Sequence, residues 1–334
     1  MNLDNFVHLS GASLLNTPSI SSFGEIVFDA SKVQRGDLFV AFETGKIQEA
    51  LSNGAYGVLV EDEVAISDNE VAWLEVASIQ GSLERLLRHK LIQHGTKAVF
   101  CLDVHLKLCS NIALPPEVYL FSSSEFIKNF KALYRDTPIK YIFAPYSLED
   151  SSLFTSRITL PKVLKSSISI IEQTIFETSF IYKDIYYERE LLSPFFLPYL
   201  EELLSFLDSV SLEYRLKKFT HIDHFEPIFV DRSFNIKKFG LSSKVLIFES
   251  DVELISDQIP FLEHYAPWAR TIYLLPYSQE SVSHSKVYLY KDATHLLSLL
   301  RDLSYDMALV AGFDKSILDN MRDDKTRGQL SFTL

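Results

Sequence analysis

The chain has 334 residues, 47% of them apolar and 23% charged, a balance that suits an ordinary soluble globular protein of two or three domains. Its net charge of -12 sets it against nucleic acid and anionic membrane, which repel a surface of that sign. No stretch of about 18 uncharged apolar residues occurs and the opening MNLDNFVHLS has no basic-then-apolar leader, so no membrane span or signal peptide is expected, and the cytoplasm is the expected compartment.

Residues 1–95 read as a small α/β unit. Apolar, β-favouring runs at 26–28 and 38–42 are expected as strands, then a helix near 46–53 and strands at 57–61 and 71–76. Between the first two strands lie Asp29, Ser31 and the turn Gln34-Arg35-Gly36-Asp37, where Gly36 supplies a geometry that a side chain resists. A helix is expected over 79–93, with Leu83, Leu86, Leu87 and Leu91 on one face.

Residues 96–218 form a second division. Strand is at least as well supported as helix at 98–102, followed by strands at 118–121 and 139–145 and a helix near 124–134. Cys101, His105 and Cys109 stand at i, i+4 and i+8 and would share one face of a helix, but three soft ligands fall short of a closed site and no metal is expected there. Residues 168–187 read as two strands or a hairpin, and 198–210 as a helix whose Leu200, Leu203, Leu204 and Leu207 face the core. Not one glycine occurs from Thr96 through Phe239.

Residues 219–334 form the third. His221, Asp223, His224 and Glu226 offer an H-x-D-H-x-E cluster, with His221 and His224 as weak metal candidates. The approach to a strand sends neighbours to opposite faces, so a solvated linker between domains is the expectation. Strands at 228–230, 244–248, 271–275, 286–290 and 307–311 alternate with helical stretches, one of them at 293–303. This alternation argues for a parallel, three-layer sheet. G-x-S-x-G, C-x-x-C and H-E-x-x-H are all missing, which leaves the common hydrolase, redox and zinc-protease templates without a foothold.

One stretch does more. FDASKVQRGDLFVAF at 28–42, followed by QEALSNGAYGVLVE at 48–61, resembles the D-S-R-x-V-x-x-G-D-L-F-V-A and G-A-x-x-V-V-V-E patterns of the N-terminal domain of Mur ligases, nearest the MurE and MurF type. Further on, FTHIDHFE and IFVDRSFN at 219–235 are similar to the G-R-x-E and I-D-D-S-Y-N-A-N-P of MurF-type C-terminal domains. SKVLIFESDVEL at 243–254 resembles a strand ending in G-D-M-x-E-L-G. The resemblance implies an α/β, Mur-ligase-like architecture of three domains: a small N-terminal α/β domain, a reduced central α/β domain and a C-terminal Rossmann-like parallel sheet.

By family position it also implies substrate contacts at Asp29, Ser31 and Asp37 in the first domain and at Asp231, Ser233 and Asn235 in the third. Ala30 and Ser31 stand where the family has its serine and arginine. The family's G-x-x-G-K-T-T phosphate loop falls on 103–109. Asp103 and Leu106 take the glycine places, Lys107 that of the lysine, and Leu108 and Cys109 replace the hydroxyls. A phosphate cradle needs close backbone approach, which aspartate and leucine deny. The expectation is therefore a degenerate nucleotide site at Asp103, Leu106 and Lys107, with no catalytic residue and with ATP and magnesium lost. What remains is a binding or scaffolding role in cell-wall metabolism, with a protein partner or a UDP-muramyl ligand. A ligase with rewritten chemistry through Lys107 and the 231–235 loop, and a UDP-sugar sensor without turnover, are the alternatives.

Overall fold

A computed structural model describes residues 1–319 other than 164, 243 and 283, so Ser243 and the chain from 320 on, part of the expected third domain, lie outside the described residues. The chain forms two compact units. One comprises Met1–Cys101 and Pro116–Thr159; the other comprises Leu102–Pro115 and the residues from Leu160 on.

The first unit opens with α1 (Leu3–Ser10), β1 (Ser13–Leu14), β2 (Ile26–Val27), β3 (Leu38–Val40), α2 (Ile47–Ser52), β4 (Gly57–Val60), β5 (Ala72–Glu75) and α3 (Ile79–His94). These strands make a five-stranded sheet in the order β1-β5-β4-β3-β2, parallel except for β1, with β2 at one edge. Period-two alternation feeds two cores at once. Leu38, Val40, Leu59 and Leu74 face one, with Leu83, Leu86, Leu87 and Leu91 of α3, while Phe39, Val58, Val60 and Trp73 face the other. Helix α3 begins at Ser78, whose side chain accepts the Gly81 N–H, and ends at Gly95 in the left-handed conformation.

Gly57 shows how tightly the first core is built. A β-carbon there would lie 2.4 Å from a ring carbon of Phe23 and 2.8 Å from a methyl of Leu38, both buried. Gly57→Ala is expected to lower stability by about 1–3 kcal/mol through overpacking, read as a lower unfolding midpoint in thermal melts.

Strand β6 (Lys97–Cys101) closes this stretch of the unit. The chain then enters the second unit for α4 (Asp103–Cys109) and β7 (Ile112–Ala113), and returns to the first for β8 (Val118–Leu120), α5 (Phe126–Leu133), β9 (Tyr141–Pro145) and β10 (Arg157–Thr159). Strands β10-β6-β9-β8 form a parallel four-stranded sheet, which settles residues 97–101 as strand.

In the second unit, β11 (Ser169–Gln173), β12 (Thr178–Tyr182) and β13 (Ile185–Glu190) make an antiparallel sheet of three strands where two or a hairpin were expected. Helix α6 (Leu197–Ser209) and β14 (Arg215–Leu216) follow, β14 pairing with β7. The remaining elements are β15 (Glu226–Val230), β16 (Lys244–Glu249), α7 (Ile255–Tyr265), β17 (Thr271–Pro276), β18 (Val287–Tyr290), α8 (Ala293–Asp302) and β19 (Met307–Ala311). Their sheet runs β15-β16-β19-β17-β18 and is parallel apart from the edge strand β15, which is antiparallel to β16 and carries Pro227. Its inner faces share a core with Leu296 and Leu300 of α8.

Candidate functional site

A buried arrangement of ionisable groups lies in the second unit, where β16 ends. Four apolar residues of β16 lead to Glu249, which is 0% exposed. A buried carboxylate of this kind must find donors, and Glu249 has four: His224 Nδ1 at 2.6 Å, the Asp251 N–H at 2.9 Å, the Phe225 N–H at 3.1 Å and Gln258 Nε2 of α7 at 2.5 Å. On the far side of the imidazole, His224 Nε2 lies 3.0 Å from Asp103 Oδ2 at the start of α4. Because carboxylates on both sides accept, both ring nitrogens donate and the ring is an imidazolium. Burial works against that charge, and the hydrogen bonds to Asp103 and Glu249 outweigh it, raising the imidazole to about 9. The His224 bond in turn holds the Asp103 carboxyl below its ordinary range.

The backbone is bent to make this pairing. Phe225 adopts φ 47, a left-handed conformation unusual for a bulky residue, and its ring is packed against Phe176, Phe195, Phe196 and Phe261. The stretch 221–226 is therefore not the solvated linker expected of it, since His224 and Phe225 are both buried. His224 is paired with the carboxylates of Asp103 and Glu249, while Asp223 and Glu226 pair with Lys107 and Lys315, all contributed from elsewhere in the chain.

The other expected residues are already committed to neighbours. Lys107 donates to Asp223 at 2.9 Å, and that bond raises the ammonium above its ordinary value. In His105, Nδ1 accepts the Leu102 N–H at 3.2 Å, so Nε2 carries the proton and donates to Glu202 at 3.0 Å; burial holds this ring below its usual value. Leu106 sits on α4 between them. Cys101 is on β6 and Cys109 on α4, both buried and neither in a disulfide, and burial pushes Cys109 up to about 12. His221 does not join His224: its ring packs against Phe239 and burial lowers it. Among the described residues no group of three or more His, Cys, Asp or Glu side chains is arranged to hold a metal ion.

Asp231, Ser233 and Asn235 do come together, as a turn closed on itself. Asp231 accepts from the Ser233 and Asn235 N–H groups at 2.8 and 3.0 Å and from Asn235 Nδ2, pairs with Lys237 at 3.1 Å, and is held well below the carboxylate range by the Asn235 side chain first of all. In the first unit, Asp29 caps a short helical turn, taking both the hydroxyl of Ser31 at 2.7 Å and its N–H at 3.1 Å. Buried Asp37 ties the next turn by accepting the Glu25 and Gln34 N–H groups, each at 2.9 Å. A cavity of about 330 Å³ opens at the carboxyl ends of β3 and β4, and Glu43, Glu61 and Asp62 in its lining make it adverse to a diphosphate. Sequence reasoning passed over Glu249, Gln258 and Glu202. The only mark in the sequence was a carboxylate ending the apolar run VLIFE.

No family model matches the chain, and no curated protein matches it. Solved structures do match. The crystal structure of MurF from Acinetobacter baumannii aligns with a TM-score of 0.54 at 8% identity, covering 97% of this chain and 98% of that one. The UDP-N-acetylmuramoylalanyl-D-glutamyl-2,6-diaminopimelate D-alanyl-D-alanyl ligase of the same organism aligns with a TM-score of 0.50 at 9% identity, covering 98% of each chain. Among the described residues no helix is long and apolar enough to cross a membrane. With three α/β sheets in chain order and parallel pairing in each, the chain has the Mur-ligase fold.

Proposed function

We propose that this chain is a non-catalytic Mur-ligase-like protein that acts by binding, as a scaffolding component of peptidoglycan metabolism in the cytoplasm, with no use for ATP or magnesium. The observation that carries the reading is the entry into α4. A single residue, Leu102, separates the end of β6 from the start of α4, where a phosphate cradle needs a loop of free backbone donors. The Leu102 N–H is taken by His105, and Asp103 presents a carboxylate that is itself held by His224. Triphosphate would meet a negative charge where it needs donors. Lys107, the one residue in the family's position for a phosphate contact, is paired with Asp223.

Isothermal titration of the full chain with ATP and magnesium tests this. The expected result is no saturable heat. Micromolar binding, or formation of an acid-amide bond with a UDP-muramyl peptide as substrate, would overturn the proposal.

A further inference from the structure

A cleft of about 940 Å³ opens in the first unit, with Asp29 in its lining. Six consecutive residues, 24–29, line one wall. Ile26 and Val27 are the strand residues of this run, and side chains of a strand alternate between faces, so a cleft lined by both lies against the edge of the strand and not over one face. Strand β2 is indeed the edge of its sheet. The Leu38 N–H donates to the Glu25 carbonyl, so residues 25 and 27 turn their backbone groups to β3, and the N–H and C=O of Ile26 point to the open side.

The opposite wall comes from α5 and its continuation. Phe28, the buried Phe130 and Tyr134 form a ladder of rings, with Phe28 edge-on to Phe130 at 5.6 Å and Phe130 stacked on Tyr134 at 4.7 Å. Four cations border these rings. Lys32 pairs with Asp29 at 3.6 Å and Lys90 with Asp136 at 2.8 Å. Lys131 lies over the Phe28 ring at 5.0 Å and Arg135 bonds the Lys131 carbonyl, and among the described residues neither has a carboxylate partner. On a chain of net charge -12, a lining in which Lys32, Lys90, Lys131 and Arg135 outnumber Glu25, Asp29 and Asp136, beside a row of rings, is a small local excess of positive charge.

We propose that this cleft takes an extended, acidic segment of a partner protein, added as a further strand to the free edge of β2. Its alternate carboxylates meet Lys131 and Arg135, and its apolar side chains lie on Phe28, Phe130 and Tyr134. The lining run of six residues spans at most about 20 Å, with the two-residue strand Ile26–Val27 at its centre. Strand addition uses the backbone for affinity and alternate side chains for selectivity, which is what this wall offers. The inference supplies the partner chemistry for the binding role proposed above and rests on it. The nucleotide titration tests that role, and the peptide measurements below test this one.

The probe is a fluorescein-labelled, amidated hexapeptide, Glu-Val-Glu-Phe-Glu-Val, followed by fluorescence anisotropy against the full chain. Saturable binding is expected, with no binding of the Lys-Val-Lys-Phe-Lys-Val counterpart. The double variant Lys131→Glu with Arg135→Glu, both exposed positions, is expected to weaken binding roughly tenfold or more while leaving the circular dichroism spectrum unchanged. N-methylation of alternate probe residues, tried in both registers against the unaltered protein, is expected to abolish binding in one register. No saturable binding, equal binding of the lysine peptide, indifference to N-methylation, or displacement of the probe by UMP would each overturn the proposal.

Discussion

Glu249→Ala is expected to destabilise the protein by roughly 3–5 kcal/mol, the range for removing one partner from a buried ion pair. The substitution orphans the buried Phe225 N–H, the half-buried Asp251 N–H and Gln258, and leaves the His224 imidazolium with Asp103 as its sole carboxylate. Each lost acceptor carries a desolvation penalty, because no water reaches a site that is 0% exposed. Urea unfolding followed by circular dichroism gives the difference directly. Glu249→Gln, which keeps one carbonyl acceptor, should lose less. Adding His224→Leu to Glu249→Ala should recover part of the loss, since the unpaired charge goes with the ring. A loss below about 1 kcal/mol for Glu249→Ala would show that the cluster contributes little.

The second large effect is in pH. His224 is raised in the folded chain to about 9 from an ordinary value of 6.5. A folded value above the unfolded one means that the contribution is complete below about 6.5 and is lost as pH rises through about 9. The difference corresponds to about 3 kcal/mol, so unfolding midpoints should fall steadily between pH 6.5 and 9. His224→Gln removes the titrating group, and its midpoints should be lower at pH 6.5 and much flatter across that window. A wild-type curve that is level from 6.5 to 9 would refute the doubly paired imidazolium.

Most elements could be read from the sequence because their signals are local. The leucine stripe of α3 with Ser78 before it and Gly95 after it is complete within the helix and its two caps. The third strand of the antiparallel sheet was harder. Its turn uses Lys183 and Asp184, both at positive φ (47 and 61), where a tight hairpin ordinarily takes asparagine and glycine, so the letters gave no warning. The antiparallel course of β15 was missed for another reason: apolar runs look the same in either direction, although Pro227 does mark an edge.

The charged site was legible only in pieces. Asp103 and His224 were singled out separately, one as a misplaced loop residue and the other as a weak metal ligand. They are 121 positions apart, and Glu249 is 25 beyond His224. Burial of a charge depends on what arrives from a distance, and no window of the sequence contains that information. The turn at Asp231 was the opposite case, since Asp231, Ser233 and Asn235 satisfy one another within five residues.

The second unit draws its short α4–β7 segment from before residue 116 and everything else from beyond residue 159. A ribosome therefore releases Asp103 long before the histidine it will neutralise, and the first unit, needing residues up to Thr159, is finished in between. No uninterrupted fragment starting after Thr159 contains Asp103, the acceptor on the outer side of His224. Shortened versions intended to isolate the C-terminal sheet will keep Glu249 but leave His224 Nε2 without its acceptor, and joining the 102–115 segment to them through a linker is the way to restore that bond.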